Sequence, residues 1–258
     1  MREPMDLVVL GSGTLAPSGA RVAPSHWVQA GDVGLLLDCG AGTLHRAAEF
    51  GVPWWDVSWV AITHFHVDHW GELPALLFAL RWGVEPPRTK PLRLVGPIGF
   101  ETRLTMLAAA LGDWVLDPGY PIEPEEVGHG CSIELAEAVY LEAHETPHTS
   151  NSLAYAVREG SVRLVYTGDT GPSKALAEWA SECDLLLAEC SLPDDRAIDI
   201  HLTPTRAGAM GKAARAHELV LTHVYPVFGD SDPADAAALA FGGPVRVARD
   251  GERFHIGK

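Results

Sequence analysis

Short apolar runs alternate with amphipathic stretches along most of this chain. Nine apolar runs predict β-strands, and they lie at residues 7–10, 27–30, 34–37, 59–62, 92–95, 153–157, 162–166, 185–187 and 219–221. Several of these runs are apolar at every position, which is typical of strands that are covered on both faces. The pattern therefore predicts sheets that lie inside the molecule.

Amphipathic stretches between the apolar runs predict α-helices. They lie at residues 43–50, 71–82, 100–111 and 173–180, and a last clear helix starts at Thr203-Pro204. Ser173 is expected to cap the fourth helix, and Pro204 stands at the first helical position, where its missing N–H costs no hydrogen bond. Because strands and helices alternate, we expect two sheets packed face to face with helices outside them.

Two joints rich in Pro and Gly interrupt the pattern, at residues 83–91 and 118–124. The second joint predicts a division into two similar halves, at about residues 1–124 and 125–258. No flexible linker separates the halves, so we expect residues 1–258 to pack as a single domain. A chain of 258 residues is long enough to bury a substantial core.

The charge balance narrows the choice of partners. With 19 Lys and Arg against 34 Asp and Glu, the formal net charge is −15. Nucleic-acid backbones are bound by faces rich in Lys and Arg, so the charge disfavours nucleic acid, although a local basic patch would still bind it. A small-molecule substrate is therefore favoured.

The length of the apolar runs and the spacing of the cysteines indicate which cellular location to expect. No apolar run reaches membrane-spanning length, and residues 1–6 lead straight into the first strand without a signal-like segment. We therefore expect a cytoplasmic protein without a membrane partner. The cysteines are spaced too far apart for a Cys-only zinc site or a disulfide framework, and we expect buried thiols. They are Cys39, Cys131, Cys183 and Cys190.

The strongest chemical signal is the segment Thr63-His64-Phe65-His66-Val67-Asp68-His69, directly after the run at 59–62. Three imidazoles and a carboxylate within six residues are good donors to zinc, and they also suit manganese or iron. A polar surface loop would be the alternative, but this spacing of metal-type ligands disfavours it. The segment predicts a metal site.

Further donors also follow predicted strands. His148 comes after the alternating stretch at 133–143, Asp169 follows the run at 162–166, and His223 follows the run at 219–221. One ion could take His64, His66 and His148, and a second could take Asp68, His69 and His223. Asp169 could then bridge the two ions with one oxygen to each, leaving room for a bridging hydroxide and for substrate.

These residues together resemble the metallo-β-lactamase superfamily, and within it the ribonuclease Z-like phosphodiesterase branch. The matching segments are Leu10-Gly11-Ser12-Gly13-Thr14, Leu37-Asp38-Cys39-Gly40, Thr63 to His69, His148, Tyr166 to Thr170, His201-Leu202-Thr203 and Leu221-Thr222-His223. The resemblance implies an α/β fold, an αββα four-layer sandwich of two mixed sheets flanked by helices. It also implies two divalent metal ions, foremost zinc, held by the seven ligands named above, and it makes a homodimer a further expectation.

The resemblance implies a hydrolase in which a metal-bridging hydroxide attacks phosphorus. Asp169 stands where class B lactamases usually carry a cysteine, so antibiotic hydrolysis is disfavoured. The tRNA-processing relatives carry a long arm between the residues that match His148 and Asp169, which here are only 21 positions apart (169 − 148). Relatives often show Tyr-Arg after the residue that matches His148, whereas this chain has Tyr155-Ala156.

We therefore expect a phosphodiesterase that acts on a small or single-stranded phosphodiester. A hydrolase of carboxyl esters, thioesters or lactones is the first alternative. A tRNA 3′-end endonuclease is the second. A metal-binding or sensing module without turnover is less favoured, because the full ligand set is present.

Three further residues are predicted to serve the chemistry. Asp68 is expected to hold the second metal and to help orient the attacking hydroxide. The resemblance makes His201 a proton donor or phosphate contact, although a histidine at a helix N-terminus would look the same. Glu189 would orient His201. Asp38 either bonds a metal-bound histidine or starts the turn at Gly40, and Gly11, Gly13 and Gly40 are expected to adopt positive φ.

Overall fold

Two seven-stranded mixed sheets form the centre of this computed structural model, which describes residues 5–257. The first sheet consists, in spatial order, of β14 (Arg253–Ile256), β1 (Met5–Gly11), β2 (Ser25–Ala30), β3 (Val33–Leu37), β4 (Trp59–Ala61), β5 (Leu92–Pro97) and β6 (Ile122–Val127). The second consists of β13 (Val245–Val247), β12 (Glu218–Thr222), β11 (Leu185–Glu189), β10 (Val162–Tyr166), β9 (Leu153–Glu159), β8 (Val139–Glu145) and β7 (Ser132–Ala136).

The two sheets share one pattern of pairing. In the first, β14, β1, β2 and β3 are antiparallel neighbours, and β3 to β6 run parallel. In the second, β7 to β10 are antiparallel and β10 to β13 run parallel. Each sheet therefore has a parallel section whose carboxyl ends can present loops at one edge.

Helices cover the outer face of each sheet. They are α1 (Thr43–Glu49), α2 (Val67–Trp70), α3 (Leu73–Trp82), α4 (Phe100–Leu111), α5 (Lys174–Trp179), α6 (Pro204–Ala214) and α7 (Ala234–Phe241). Four short 3₁₀ helices lie at Trp54–Asp56, Asp113–Val115, Asp194–Arg196 and Pro226–Phe228. Ser173 caps α5 as predicted, because its hydroxyl accepts a hydrogen bond from the Leu176 N–H at 3.2 Å.

Three hydrophobic clusters hold the four layers together. The central cluster fills the space between the sheets with residues such as Leu35 of the first sheet and Leu164 of the second. A second cluster joins the first sheet to α3 and α4, and a third joins the second sheet to α5, α6 and α7. Each fully buried Leu contributes roughly 1.5–3 kcal/mol to stability. The predicted αββα sandwich is confirmed.

All nine predicted strands are present, but the prediction missed others. The joint predicted at 118–124 is wrong in part, because β6 begins at Ile122 and pairs with β5. Its sequence, Ile-Glu-Pro-Glu-Glu-Val, is mostly exposed, so it offers no apolar run, and Pro is tolerated because the strand lies at the edge of the sheet. β14, near the carboxyl end of the chain, pairs with β1 in the first sheet. The division into halves at about residues 1–124 and 125–258 stays a prediction.

The prediction that no signal segment is present was based on residues 1–6. Of these, residues 1–4 lie outside the described residues, as does Lys258. From residue 5 to residue 257, none of the helices has the length and apolar character that spanning a membrane requires. The cytoplasmic location stays a prediction.

Candidate metal centre

The candidate ligands meet at the carboxyl ends of parallel strands from both sheets. His64 and His66 follow β4 of the first sheet, while Asp169 follows β10 and His223 follows β12 of the second. The two sheets are joined at this edge because the Leu153 N–H donates to the Thr63 carbonyl at 3.0 Å. A rigid edge of this kind is where loops can hold functional groups in fixed positions.

The first group of donors consists of His64, His66 and His148. His66 Nδ1 lies 3.0 Å from His64 Nε2 and 3.1 Å from His148 Nε2. The His148 imidazole is held from behind, because its Nδ1 lies 3.0 Å from the Ile200 carbonyl oxygen and donates to it. His64 is buried, whereas His66 is exposed, so the group opens toward solvent on the side of His66.

The second group consists of Asp68, His69 and His223. The short helix α2 carries both Asp68 and His69, and both side chains reach His223. His69 Nε2 lies 3.3 Å from His223 Nε2, and His223 Nε2 lies 3.6 Å from Asp68 Oδ2. All three residues are buried. The Leu15 N–H donates to Asp68 Oδ2 at 3.0 Å and fixes that carboxylate.

The Asp169 carboxylate lies between the two groups and faces each with a different oxygen. Oδ2 lies 3.8 Å from His64 Nε2 and 3.6 Å from His148 Nε2. Oδ1 lies 3.4 Å from His69 Nε2 and 3.4 Å from His223 Nε2. Each group of three therefore gains a fourth donor atom from one shared, buried side chain.

These donor sets fit divalent metal ions. Two donors that each lie about 2.0–2.1 Å from one tetrahedral ion are separated by about 3.4 Å. The distances given above run from 3.0 to 3.8 Å, and the donor atoms of each group all lie within 4.8 Å of one another. Within the described residues, Asp169 Oδ1 is buried with no hydrogen-bond partner. A buried carboxylate oxygen without a donor is costly unless a cation binds it. The unpaired oxygen therefore supports metal binding.

Protonation in this cluster follows burial and the nearby carboxylates. Burial lowers the pKa of His64 well below its ordinary value, which keeps that imidazole neutral, as a metal ligand must be. Burial also acts to lower the pKa of His69, but the charges of Asp169 and Asp38 outweigh it and raise that pKa well above its ordinary value. Burial acts to raise the pKa of Asp169, yet the surrounding imidazoles, His223 and His69 foremost, hold it well below the usual range.

Asp38 supports the second group from behind. Its Oδ2 lies 2.7 Å from His69 Nδ1, and it also accepts hydrogen bonds from the Tyr166 hydroxyl at 2.8 Å and the Thr63 hydroxyl at 3.0 Å. The Thr63 N–H donates to Oδ1 at 2.8 Å. Of the two predicted alternatives, the structure shows the hydrogen bond to a candidate ligand, and this bond turns His69 Nε2 toward Asp169.

Replacing Asp38 with alanine is expected to weaken metal binding about 10- to 100-fold, because the His69 imidazole loses the acceptor that fixes its orientation. Competition with a chromophoric chelator measures the dissociation constant for zinc. Asp38→Asn keeps the size and one acceptor oxygen, so its loss should be smaller. Zinc affinity that is unchanged in Asp38→Ala would contradict this role.

The expected positive φ at Gly11, Gly13 and Gly40 is wrong, and none of the three adopts it. Glycine is required there for space. A Cβ on Gly40 would lie 2.0 Å from the Asp68 carbonyl oxygen, and a Cβ on Gly11 would lie 1.8 Å from the Ala23 carbonyl oxygen. The turn at Gly40 thus packs directly against α2 and helps to place Asp68.

A second histidine network borders the metal ligands. His201 Nδ1 lies 2.8 Å from Glu189 Oε1, and the His201 ring centroid lies 4.8 Å from that of His148. Burial acts to lower the pKa of His201, but its hydrogen bond to Glu189 and that residue's charge raise it above the ordinary value. Ser191 lies 2.5 Å from Glu189 Oε2 and 2.9 Å from His223 Nδ1. The network therefore links His201 to a candidate ligand.

The structure brings the nine candidate side chains together in three groups of close donor atoms, two of which share Asp169. The groups are His64, His66, His148 and Asp169; Asp68, His69 and His223; and Asp169, Glu189 and His201. Sequence reasoning missed Ser191 and the Ile200 carbonyl, which hold His223 and His148. Ser191 follows Glu189 at the end of a buried strand, but a lone serine carries no signal of its own. The assignment of metal and catalytic roles to these residues stays a prediction.

Comparison with known proteins gives a consistent picture. The family model for a beta-lactamase superfamily domain matches residues 34–224. Ribonuclease Z of Mycobacterium bovis is 29% identical over 282 aligned positions that cover 98% of each chain. A metallo-β-lactamase fold protein from Bacillus subtilis has a TM-score of 0.86 at 24% identity, covering 98% of this chain and 100% of that one. The short form of human tRNase Z has a TM-score of 0.79 at 23% identity, with the same coverage.

Proposed function

The chain belongs to the β-lactamase superfamily as a metal-dependent hydrolase, and we propose that it is a phosphodiesterase acting on a small or single-stranded phosphodiester. The observation that carries the proposal is the Asp169 carboxylate, which presents Oδ2 to His64 and His148 and Oδ1 to His69 and His223. A shared carboxylate between two sets of donors suits a pair of divalent cations, and such pairs serve displacement at phosphorus.

The metal ions are the first part of this proposal. His64, His66, His148 and Asp169 would hold one ion, and Asp68, His69, His223 and Asp169 the other. Two divalent ions supply Lewis acidity, which activates water for attack and offsets negative charge on the phosphoryl group. Zinc is the favoured metal because each set offers the imidazole and carboxylate donors that zinc prefers; manganese and iron accept the same donors.

His201 is proposed to protonate the leaving oxygen. Its Nδ1–H donates to Glu189 Oε1 at 2.8 Å, so the other ring nitrogen, Nε2, carries the proton that can be transferred. Glu189 keeps the imidazole in this orientation and favours its protonated form. Glu189 is itself fixed, because Oε1 also accepts from the Thr170 N–H at 2.9 Å. Asp68 is proposed to hold the second ion and to orient the attacking water.

The segment between His148 and Asp169 supports a small substrate. It contains only the hairpin of β9 and β10, which are paired in register from Val162 and Glu159 to Tyr166 and Tyr155. No protruding arm fits in this space. The alignment with the Mycobacterium bovis ribonuclease Z spans 282 positions, so that relative carries at least 24 residues (282 − 258) that this chain lacks. With a net charge of −15, the chain is poorly suited to a large folded RNA.

Endonucleolytic cleavage at a tRNA 3′ end is the second candidate. Similarity to proteins named ribonuclease Z and tRNase Z runs over nearly the whole chain, and it is the observation that favours this alternative. A precursor tRNA with a 3′ trailer tests it directly. Cleavage at the trailer with higher kcat/KM than for any small diester would make this candidate the function.

Hydrolysis of bis(p-nitrophenyl) phosphate by the zinc- and manganese-loaded protein tests the main proposal. We expect turnover that is lost on chelation and restored by the metal. The same preparation is assayed with a lactone and a thioester, which test the ester-hydrolase alternative. Two bound metal ions without turnover of any substrate would contradict the proposal and favour a binding or sensing role.

A homodimer is also proposed, and an exposed apolar face supports it. Phe78 and Trp82 of α3 and Leu111 of α4 are exposed by 49%, 66% and 48% and line one shallow apolar concavity. Large contiguous apolar surfaces on soluble proteins usually mark an interaction site. Sedimentation velocity at micromolar concentration is expected to give twice the chain mass of 27.7 kDa. A single species at the chain mass over the whole concentration range would contradict the dimer.

A further inference from the structure

A small pocket lies directly beside the second group of candidate ligands. Its volume is about 340 Å³, and Asp68 forms part of its wall. Most of the other lining side chains are apolar, and they are Leu15, Pro17, Val22, Ala23, Ala41 and Val67. Ligand pockets run from about 300 to 1,000 Å³ and combine apolar walls with a few polar groups. This pocket is at the small end of that range.

Two apolar side chains are exposed at the pocket. Leu15 is 62% exposed and Val67 is 58% exposed. Each is tied to Asp68: the Leu15 N–H donates to Asp68 Oδ2 at 3.0 Å, and Val67 precedes Asp68 in α2. Single exposed apolar residues are common and need no explanation. Two of them that flank the same candidate metal ligand and line one concavity form a site for an apolar group.

Charge and existing hydrogen bonds disfavour phosphate as the occupant of this pocket. Arg21 Nη1 donates to the Ser12 hydroxyl at 2.5 Å and to the Ala248 carbonyl oxygen. Thr14 Oγ1 accepts a hydrogen bond from the Ala16 N–H at 3.1 Å. The Asp68 carboxylate would repel an anion. The phosphoryl group of a substrate therefore belongs at the metal ligands, and the mostly apolar wall beside Asp68 suits an apolar substituent of that group.

We propose that this pocket, defined by Leu15, Val67 and the residues around them, binds a flat apolar ring attached to the phosphoryl group, such as an aryl group. The proposal rests on the proposed phosphodiesterase function and adds the substrate class. A volume of about 340 Å³ accommodates one ring system with its connecting group. A substrate with an aromatic ring on the group that stays on phosphorus would therefore be preferred over one with only a small alkyl group.

Two diesters that release the same leaving group test the pocket. Bis(p-nitrophenyl) phosphate and methyl p-nitrophenyl phosphate both release p-nitrophenolate, but only the first retains an aryl ring. In Leu15→Ser and in Val67→Ser, kcat/KM for the aryl diester is expected to fall about tenfold, because the ring loses apolar contact. For the methyl diester it should stay within about twofold. Leu239→Ser is the matched control, since Leu239 on α7 is 87% exposed and distant in sequence from the site.

Binding to the zinc-loaded protein gives a readout that does not need turnover. Calorimetric titration with phenylphosphonate and methylphosphonate is expected to show tighter binding of the phenyl compound. In Leu15→Ser, the ratio of the two dissociation constants should fall about tenfold. Leu15→Ser leaves the ligand segment at 63–69 intact, so it remains informative if Val67→Ser loses metal. Equal affinity for the two phosphonates, or equal losses of kcat/KM for the two diesters in the variants, would overturn the proposal that the pocket binds a ring. If neither diester is turned over while the phenyl preference persists, the proposed function fails and the pocket stands.

Discussion

Replacing Asp169 with alanine is expected to lower kcat/KM for bis(p-nitrophenyl) phosphate at least about 1,000-fold. The two oxygens of this carboxylate face different groups of donors, at 3.4 Å on one side and 3.6–3.8 Å on the other. Its removal takes a ligand from both sets at once. Metal-assisted chemistry supplies several kcal/mol of barrier lowering, and 1.36 kcal/mol corresponds to tenfold in rate.

Metal content and thermal stability separate loss of the ions from loss of the fold. Asp169→Ala is expected to bind at most one equivalent of zinc at micromolar concentration, whereas the unaltered protein binds two. Because ligands of the folded state raise its stability, chelation should lower the Tm of the unaltered protein and lower it much less in the variant. Asp235→Ala, an exposed change on α7, serves as the matched control. Two tightly bound ions in Asp169→Ala would contradict the bridging role.

The candidate ligands were predictable because chemistry and periodicity coincide at them. His64 and His223 follow continuously apolar runs, and Asp169 follows a run that only Arg163 interrupts. Such runs become buried parallel strands whose carboxyl ends meet at one edge. The spacing of His64, His66, Asp68 and His69 adds a signal that a surface loop rarely carries. Local sequence therefore contains both the ligands and the scaffold that gathers them.

The residues that hold the ligands in place were harder to predict, because their roles depend on distant contacts. Ser191 joins Glu189 to His223, which is 32 positions away, and Tyr166 bonds Asp38 across 128 positions. No local pattern marks a serine or tyrosine for such a partner. The same reason explains Gly40: the requirement for glycine comes from the Asp68 carbonyl on another segment, and not from its own φ.

Edge elements escaped prediction for a related reason. The strands β6 and β14 lie at the two edges of the first sheet and are partly exposed, so their sequences mix charged and apolar residues. The helix α7 is rich in alanine and packs against α6, where a Cβ on Gly208 would lie 2.2 Å from the Ala237 carbonyl oxygen. Close packing through small residues leaves little amphipathic contrast in the sequence.

Replacing His201 with alanine is expected to lower kcat by an amount that depends on the leaving group. For a dinucleotide, whose leaving group is a poor alkoxide, we expect a loss of about 1,000-fold, within the range for general acid catalysis. For bis(p-nitrophenyl) phosphate the loss should be only about tenfold, because p-nitrophenolate departs without a proton. A histidine that merely caps a helix would give equal losses with both substrates.

Two further variants, one at Glu189 and one at the exposed His217, serve as the comparison and the control for this test. Glu189→Gln keeps an acceptor for His201 Nδ1 but removes the charge that raises the pKa of His201. Its effect should therefore be smaller than that of His201→Ala, with the basic limb of the pH–kcat profile shifted to lower pH and KM little changed. His217→Ala, at an exposed position beside Asp184, is expected to behave like the unaltered protein. If His201→Ala lowers kcat equally for both substrates while two zinc ions remain bound, His201 does not donate the proton. The general acid must then lie elsewhere in the site.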